Sequence, residues 1–419
     1  MKKRYDSYKP SGIDWIGDIP SHWNLRRMRY LCDIITGDKD TVNRVDDGLY
    51  PFYVRSPQIE RINSYSFDGE AVLMAGDGVG AGKVLHYATG KFDFHQRVYN
   101  FHNFREIKGK LLYQYLKSLF KYKIEEGGAK NTVDSVRQPW LKDFPVSIPP
   151  LAEQEAIVAW LDEKCEEIDA AIAKVDREIE LIDELKQSEI SRVVTRGLNP
   201  DAPLRPSGID WIGDIPEHWE ICKIKHKSDI VLGKMLLSEP PKEHRNIYSK
   251  EKYLKSRNIG WLNMLLDEVE EMWFNESEKS LYKLNDGDVL VNEGGDIGKV
   301  AIWHDQKDSF YIQNSVHKIS PIGVNSEFLA YWIFSLSKRN YFWSIVSQVS
   351  IAHLTKEKLS NAPLIVPPLS EQQEIADYLD AKCAEIDGLK AKLTKKRETL
   401  TELRQSIISE VVTGKRKVI

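Results

Sequence analysis

Apolar residues recur at helical spacing in two long stretches. In the first, Leu161, Cys165, Ile168, Ile172, Val175, Ile179 and Ile182 are separated alternately by four and three positions. That alternation keeps the side chains on one face and predicts a long helix with a heptad seam. The second stretch runs through Leu379, Cys383, Ile386, Leu389, Leu393, Leu400, Leu403, Ile407 and Val411. It is less regular, with Lys390, Lys396 and Arg397 interrupting. Pro149-Pro150 and Pro367-Pro368 precede the two stretches, and proline suits the start of a helix. Glu153 and Glu371 then fall near the positive end of each helix dipole. Each predicted helix holds about 40–45 residues and spans about 60–70 Å. One apolar seam needs another to bury it. The pattern predicts that the two helices pack antiparallel on each other within the chain; a homodimeric coiled coil is the competing arrangement.

Between these stretches the pattern is mixed. Short β-rich runs, "EAVLMA" (70–75) and "GDVLVN" (287–292), each precede a glycine-rich turn ending in "GKV". Helical patterns follow at "KLLYQYLKSLF" (110–120) and "EFLAYWIFSLS" (327–337). The correspondence is an internal duplication. "PSGIDWIGDIPSHW" at 10–23 returns as "PSGIDWIGDIPEHW" at 206–219, with one change, Ser21 against Glu217. "IPPLAEQEAIVAWLDEKCEEID" at 148–169 returns as "VPPLSEQQEIADYLDAKCAEID" at 366–387. So large a repeat predicts two copies of one domain about an approximate two-fold axis, not a solenoid. After "SRVVT" and "SEVVT" the copies read as divergent, with "RGL" against "GKR".

Length and composition add bounds. The 419 residues suffice for two or three domains. There is no long apolar run and no signal-like start, so the chain is expected in the cytoplasm. The four cysteines form no CxxC pair or zinc spacing and read as free thiols. The net charge of −4 hides a distribution. Residues 24–148 carry 19 basic and 15 acidic side chains, 220–366 carry 19 of each, and 151–196 carry 6 basic and 13 acidic. Affinity for phosphate follows local basic surface, so DNA binding is permitted.

No catalytic signature is present. "GDGVGAGKV" (76–84) is not a phosphate loop, because Asp77 and Val84 stand where glycine and Ser/Thr are needed. It reads as a strand–turn–strand connection whose glycines supply positive φ. HExxH, GxSxG and kinase motifs are absent. An enzyme with an unrecognised site remains a competing class. Residues at matching places in the two blocks nominate DNA contacts. "YVRSPQI" against "YLKSRNI" gives Arg55, Gln58, Lys255, Arg257 and Asn258. "HQR" against "IQN" gives Gln96, Arg97, Gln313 and Asn314, and the turns add Lys83 and Lys299. Arginine suits guanine edges, asparagine and glutamine suit adenine. The repeated phrase itself reads as a string of turns with apolar anchors. Trp15, Trp23, Trp211 and Trp219 are its structural anchors, with Trp15 and Trp211 expected to be largely buried.

The twin "SGIDWIGDIP.HW" phrases, twin "PPL.EQ..I" helix starts and "GD(V)L…GKV" marks span nearly the whole chain. Together they resemble the specificity subunits of type I restriction-modification systems. The first block departs in detail, with "DGEAVL" where the second has "DGDVLV". The resemblance implies an α+β protein: two similar mixed α/β target-recognition domains joined by two long antiparallel coiled-coil helices. Domain 1 would be residues 24–147 and domain 2 residues 220–365. Conserved segments would be 1–23, 148–197, 198–219 and 366–419. The resemblance further implies a noncatalytic chain associated with double-stranded DNA, two methyltransferase subunits and restriction/translocase subunits. S-adenosylmethionine would belong to the methyltransferase partner, and ATP and magnesium to the restriction partner; this chain would hold no cofactor or metal. A coiled-coil adaptor that never touches DNA is the rival reading.

Overall fold

A computed structural model describes residues 3–126, 135–240, 242–304, 307–346 and 352–418. The chain divides into two compact units, Met1–Arg177 with Thr394–Ile419, and Glu178–Leu393. The division cuts through both long helices, Leu151–Arg196 and Leu369–Val412. Each unit is therefore closed by the first half of one helix and the second half of the other.

In the first unit a hairpin pairs Tyr8–Pro10 with Asp18–Pro20. Strand Asn24–Arg27 pairs with Pro145–Ile148 and closes the base of the inserted domain. The domain holds two sheets. One is antiparallel, in the order Asp33–Thr36, Val98–His102, Ala71–Ala75, Leu85–Ala88. The other runs Glu60–Ile62, Tyr50–Tyr53, Lys91–Phe94, Phe67–Asp68, with its central pair parallel. Phe92, Phe94, Leu73 and Val98 pack between them. Helix Gly109–Glu126 buries Leu112, Tyr115, Leu116, Leu119 and Phe120 against Met28, Val72, Leu161 and Ile408.

The second unit repeats this plan. Leu204–Pro206 pairs with Asp214–Pro216, and Glu220–Lys223 with Pro363–Val366. The larger sheet runs Ser228–Leu232, Val316–Pro321, Val289–Asn292, Val300–Ile302. The smaller sheet runs Glu270–Asn275, Tyr248–Leu254, Tyr311–Ile312. Helix Ser326–Lys338 is apolar almost all round and nearly fully buried. The two β-rich runs and the two short helices read from the sequence are all present in these places.

The helices run antiparallel within each unit. In the first, Asp169 meets Arg404 at 2.8 Å and Asp176 meets Arg397 at 2.5 Å. In the second, Asp183 meets Lys390 and Lys186 meets Asp387, both at 2.7 Å. The seam is uneven. Leu161, Cys165, Ile168, Val175, Leu379, Cys383, Ile386 and Ile407 are buried. Ile172, Ile179, Ile182, Leu393 and Leu400 are half-buried, and Leu389 is exposed. Apolar packing is strongest where the helices also touch a recognition domain.

The repeated elements hold one another. Trp23 and Trp219 are fully buried. Trp23 Nε1 donates to Glu153 Oε2 at 3.2 Å, and His22 Nε2 lies 2.9 Å from the same oxygen. Trp219 and His218 contact Glu371 Oε2 at 3.0 and 2.9 Å. The "HW" of the phrase thus binds the glutamate of "EQ" in the first turn of the following helix. The glutamine binds the domain instead. Gln154 Oε1 accepts from the Lys108 amide and Gln372 Oε1 from the Asn325 amide, both at 2.8 Å. Gln154 Nε2 donates to Pro149 O and Gln372 Nε2 to Pro367 O. A buried amide with both ends bonded fixes where the domain helix begins.

Two expectations change. Trp15 and Trp211 are half-buried, not largely buried. The Trp15 ring stacks on Phe144 at 5.4 Å, but its Nε1 reaches the exposed Glu126 carboxylate at 2.9 Å. An indole with a polar edge sits well at such a boundary. The "RGL" and "GKR" ends do not diverge in role. Gly197 (φ +72°) and Gly414 (φ +74°) both end their helices in the left-handed conformation. A Cβ at Gly414 would clash with the Pro20 ring, and one at Gly197 would meet Trp219 at 3.1 Å.

Candidate nucleic-acid interface

Four loops leave the sheets of the first unit at one end. They follow Thr36, Tyr53 and Ala75 and precede Val98, as the pairings Tyr99–Thr36, Val98–Ala75 and Phe94–Tyr53 require. The turn after Ala75 is drawn tightly against its neighbour. A Cβ at Gly80 would lie 2.6 Å from the Arg55 carbonyl, and Gly78 and Gly82 have φ of +73° and +65°. Only glycine allows both the approach and the backbone conformation. Asp77 is thereby placed between two arginines, 3.0 Å from Arg55 Nη1 and 3.6 Å from Arg97 Nε. Gln96 Nε2 donates to Asp40 at 2.7 Å and His95 Nε2 lies 3.6 Å from the same carboxylate. Asp40 is held below the usual carboxylate range, first by the Thr41 amide and then by Gln96 and His95. Gln58 is exposed on the loop after Tyr53. Lys83 is exposed at the far end of the turn, away from this cluster and on the rim of a cleft beside helix Gly109–Glu126.

The same end of the second unit is built differently. Lys255 and Arg257 converge on Glu270 Oε1 at 2.7 and 3.0 Å, and Tyr253 donates to Glu270 Oε2 at 2.6 Å. Those donors, Lys255 first, hold the Glu270 carboxyl below its usual range. Burial, with Glu270 next, pushes the Tyr253 phenol up to about 12. Arg257 also reaches Glu268 at 3.0 Å. Lys299 pairs with Asp296 in its own turn. Gln313 donates to Asn314 Oδ1 and accepts from Ser315 Oγ, both at 2.5 Å.

Asn258 leaves the set of candidate base contacts. It is 3% exposed. Its Nδ2 donates to Leu265 O and Glu268 O, and its Oδ1 accepts from the Lys255 amide. No polar atom remains to reach a base. The correspondences used to nominate candidates also shift by one residue. Phe94 faces Tyr53, whereas Ile312 faces Leu254. The amides of Gln96 and Asn314 donate to Lys39 O and Lys234 O, so Gln96 matches Asn314 and not Gln313. A one-residue slip reverses the facing of every strand side chain. Asp77 and Glu270, which orient the cations, and Asp40, which holds Gln96, carry no mark in the sequence, because carboxylates are abundant and nothing in their spacing singles these three out. The signal for Gln154 and Gln372 was visible: "EQ" is identical in both helix starts.

Among the described residues no group of His, Cys, Asp and Glu side chains could hold a metal ion. No described helix is long and apolar enough to cross a membrane.

The comparisons with known proteins agree with this architecture. The family model of the type I restriction modification DNA specificity domain matches residues 20–181 and again 216–396. The chain is 23% identical to the type I restriction enzyme EcoDI specificity subunit of Escherichia coli, covering 95% of this chain and 89% of that one. It is 24% identical to the MjaVIII specificity subunit of Methanocaldococcus jannaschii, covering 96% and 94%. A solved chain from a study of assembly and conformational transition of the type I R-M system superposes with a TM-score of 0.69. It shares 16% identity and covers 94% of this chain and 98% of that one. Two matches of one family model, one on each half of a duplicated fold, place this chain in the type I restriction-modification DNA specificity family.

Proposed function

We propose that each unit reads one half of an asymmetric, split site in double-stranded DNA. The observation that carries this is the pair of sheet ends, alike in backbone and unlike in side chains. One presents Arg55 and Arg97 about Asp77, the other Lys255 and Arg257 about Glu270. Guanidinium groups held by a carboxylate are oriented before they meet a base edge, which favours bidentate contact in the major groove. Unlike side chains on like scaffolds read unlike sequences. The long helices, shared between the units, set the interval between half-sites and dock two methyltransferase subunits, with restriction/translocase subunits joining. Catalysis, S-adenosylmethionine, ATP and magnesium belong to those partners, and the complex acts on DNA in the cytoplasm.

The test exchanges residues 24–147 for the corresponding block of another family member and sequences the methylated bases in cells that carry the hybrid and its methyltransferase. One half of the motif changes and the other stays. A change in both halves, or in neither, rejects the modular reading. Salt-dependent, sequence-specific gel retention of the purified methyltransferase complex separates it from an adaptor that never touches DNA.

A further inference from the structure

Each unit has a cleft beside its short domain helix, lined in the second unit by both long helices and in the first by the C-terminal half of helix Leu369–Val412. The two clefts have the same volume, about 570 Å³. They lie on the matching face of the domain helix. Gln154 and Gln372 anchor Lys108 and Asn325 alike. Counting from there, Lys117 and Lys121 stand where Phe334 and Lys338 stand in the second unit.

The second cleft is internally neutralised. Lys186 pairs with Asp387, Lys390 with Asp183, and Tyr331 donates to Asp380 at 2.7 Å. Trp261 packs edge-on against Phe334, and Lys338 Nζ lies 3.5 Å from the Trp261 ring centre. The first cleft is lined by Lys117, Ser118, Lys121, Arg404, Ser409 and Lys415. Arg404 is paired with Asp169. Lys117, Lys121 and Lys415 are exposed and make no ion pair among the described residues. Lys117 donates instead to Tyr113 Oη at 3.1 Å, and Lys121 lies 5.0 Å from the Tyr122 ring centre. Glu402 and Glu410 also line the cleft, and Glu410 lies 4.0 Å from Arg416. Three lysines gathered at one concavity repel one another and raise the local anion concentration.

We propose that this cleft binds phosphates of the DNA backbone flanking the first half-site. The inference rests on the DNA-reading assignment above. Lys83 supports it by position: it lines the cleft and ends the glycine-rich turn whose other end carries Asp77 and meets Arg55 and Arg97. The cleft and the reading loops are therefore continuous through one turn. Backbone contacts of this kind fix register and add affinity without reading sequence.

The test uses the assembled methyltransferase complex and two duplexes carrying its methylated motif, one ending flush with the first half-site and one extended beyond it. Binding is measured across a salt series for the natural protein, for Lys117→Gln/Lys121→Gln/Lys415→Gln, and for the matching triple arginine variant. On the extended duplex the glutamine variant should lower the slope of log affinity against log salt by about 2 to 3. The arginine variant should restore that slope. Both should leave the methylated motif and the flush-duplex affinity unchanged. An unchanged slope on the extended duplex overturns the proposal. So does a loss of methyltransferase co-purification with unchanged slope, which would assign the cleft to an acidic partner surface. Failure of the natural complex to prefer its motif would reject the DNA-reading assignment itself, a separate result. A melting temperature equal to that of the natural protein guards against a folding defect.

Discussion

The two units share a topology and differ in how they hold it. At one matched position the first has Tyr99 and the second His317. Tyr99 Oη donates to Val136 O at 3.0 Å, and His317 Nε2 lies 2.6 Å from Leu354 O. Both bonds tie the segment before the closing strand to the sheet. In both units that segment also donates an amide to the glycine-rich turn: Val136 to Gly76 O, and Leu354 to Glu293 O. The phenol does its work without charge across the ordinary pH range. The imidazole can donate to that carbonyl neutral or charged, but burial disfavours its charged form and pushes its pKa down to about 4, so protonation opposes the fold. The same backbone has been stitched once with a pH-insensitive group and once with a titratable one. Conservation of fold therefore does not imply conservation of response.

The largest effect should come from the tryptophans that the two units share. Trp23→Ala and Trp219→Ala should each cost about 3–5 kcal/mol, because each deletes a buried ring and leaves a glutamate short of a donor. Chemical denaturation followed by unit-specific hydrogen exchange would show it. Equal costs are expected if the phrase is equally structural in both copies. An unequal pair would mean that Tyr5, which also donates to Glu153 and has no counterpart on Glu371 among the described residues, holds the first copy alone.

Acid should separate the units. The folded His317 pKa is depressed, so the unfolded chain takes up the proton first. Stability is full above about pH 6.5 and falls as pH drops toward 4, by about 3 kcal/mol at the lower end. Lys356 pushes in the same direction. Glu293, whose carboxyl burial pushes up, acts in the opposite sense, since its contribution is lost as pH rises through its folded value. The Leu354 amide should lose exchange protection across this window while the Val136 amide keeps it. His317→Gln should flatten the difference. Equal acid sensitivity of the two amides would remove the contrast.

Gln154→Ala and Gln372→Ala come next, at about 1–3 kcal/mol each, because each strands buried backbone groups. Thermal melting of both variants tests whether the two domains are anchored with similar strength. The smallest effect is expected between the helices. Lys390→Ala and Asp183→Ala should each change stability by less than about 1 kcal/mol, because solvent still reaches both half-buried partners and screens the pair. A double-mutant cycle exceeding that would give the ion pairs a greater share in joining the helices than their exposure allows.

Local patterns carried the parts of the fold that depend on local physics. The 4–3 spacing from Leu161 to Ile182 marks a helix whatever surrounds it. The glycines of 76–84 mark a turn, because two of them, Gly78 and Gly82, take left-handed conformations that other residues rarely adopt. Exact repetition of "HW" and "EQ" showed that these residues matter, though not that they bind each other: 130 residues separate Trp23 from its Glu153 partner. Reading loops were harder. A pairing register is set by hydrogen bonds between distant strands, so the match of Gln96 with Asn314 could not be seen from letters that align better one place away.

The sequence by itself determined the duplication, the long amphipathic helices, the mixed α/β domains and the family, because periodicity and repetition are written along the chain. Only the tertiary structure decided which cations stand together, which asparagine is spent inside the fold and which cleft gathers lysines without ion pairs among the described residues. Those are properties of side chains brought close by folding. Asp77 acquires its role from arginines 22 residues before and 20 after it in the chain, and Asn258 loses its candidacy because carbonyls up to 10 residues away occupy its amide.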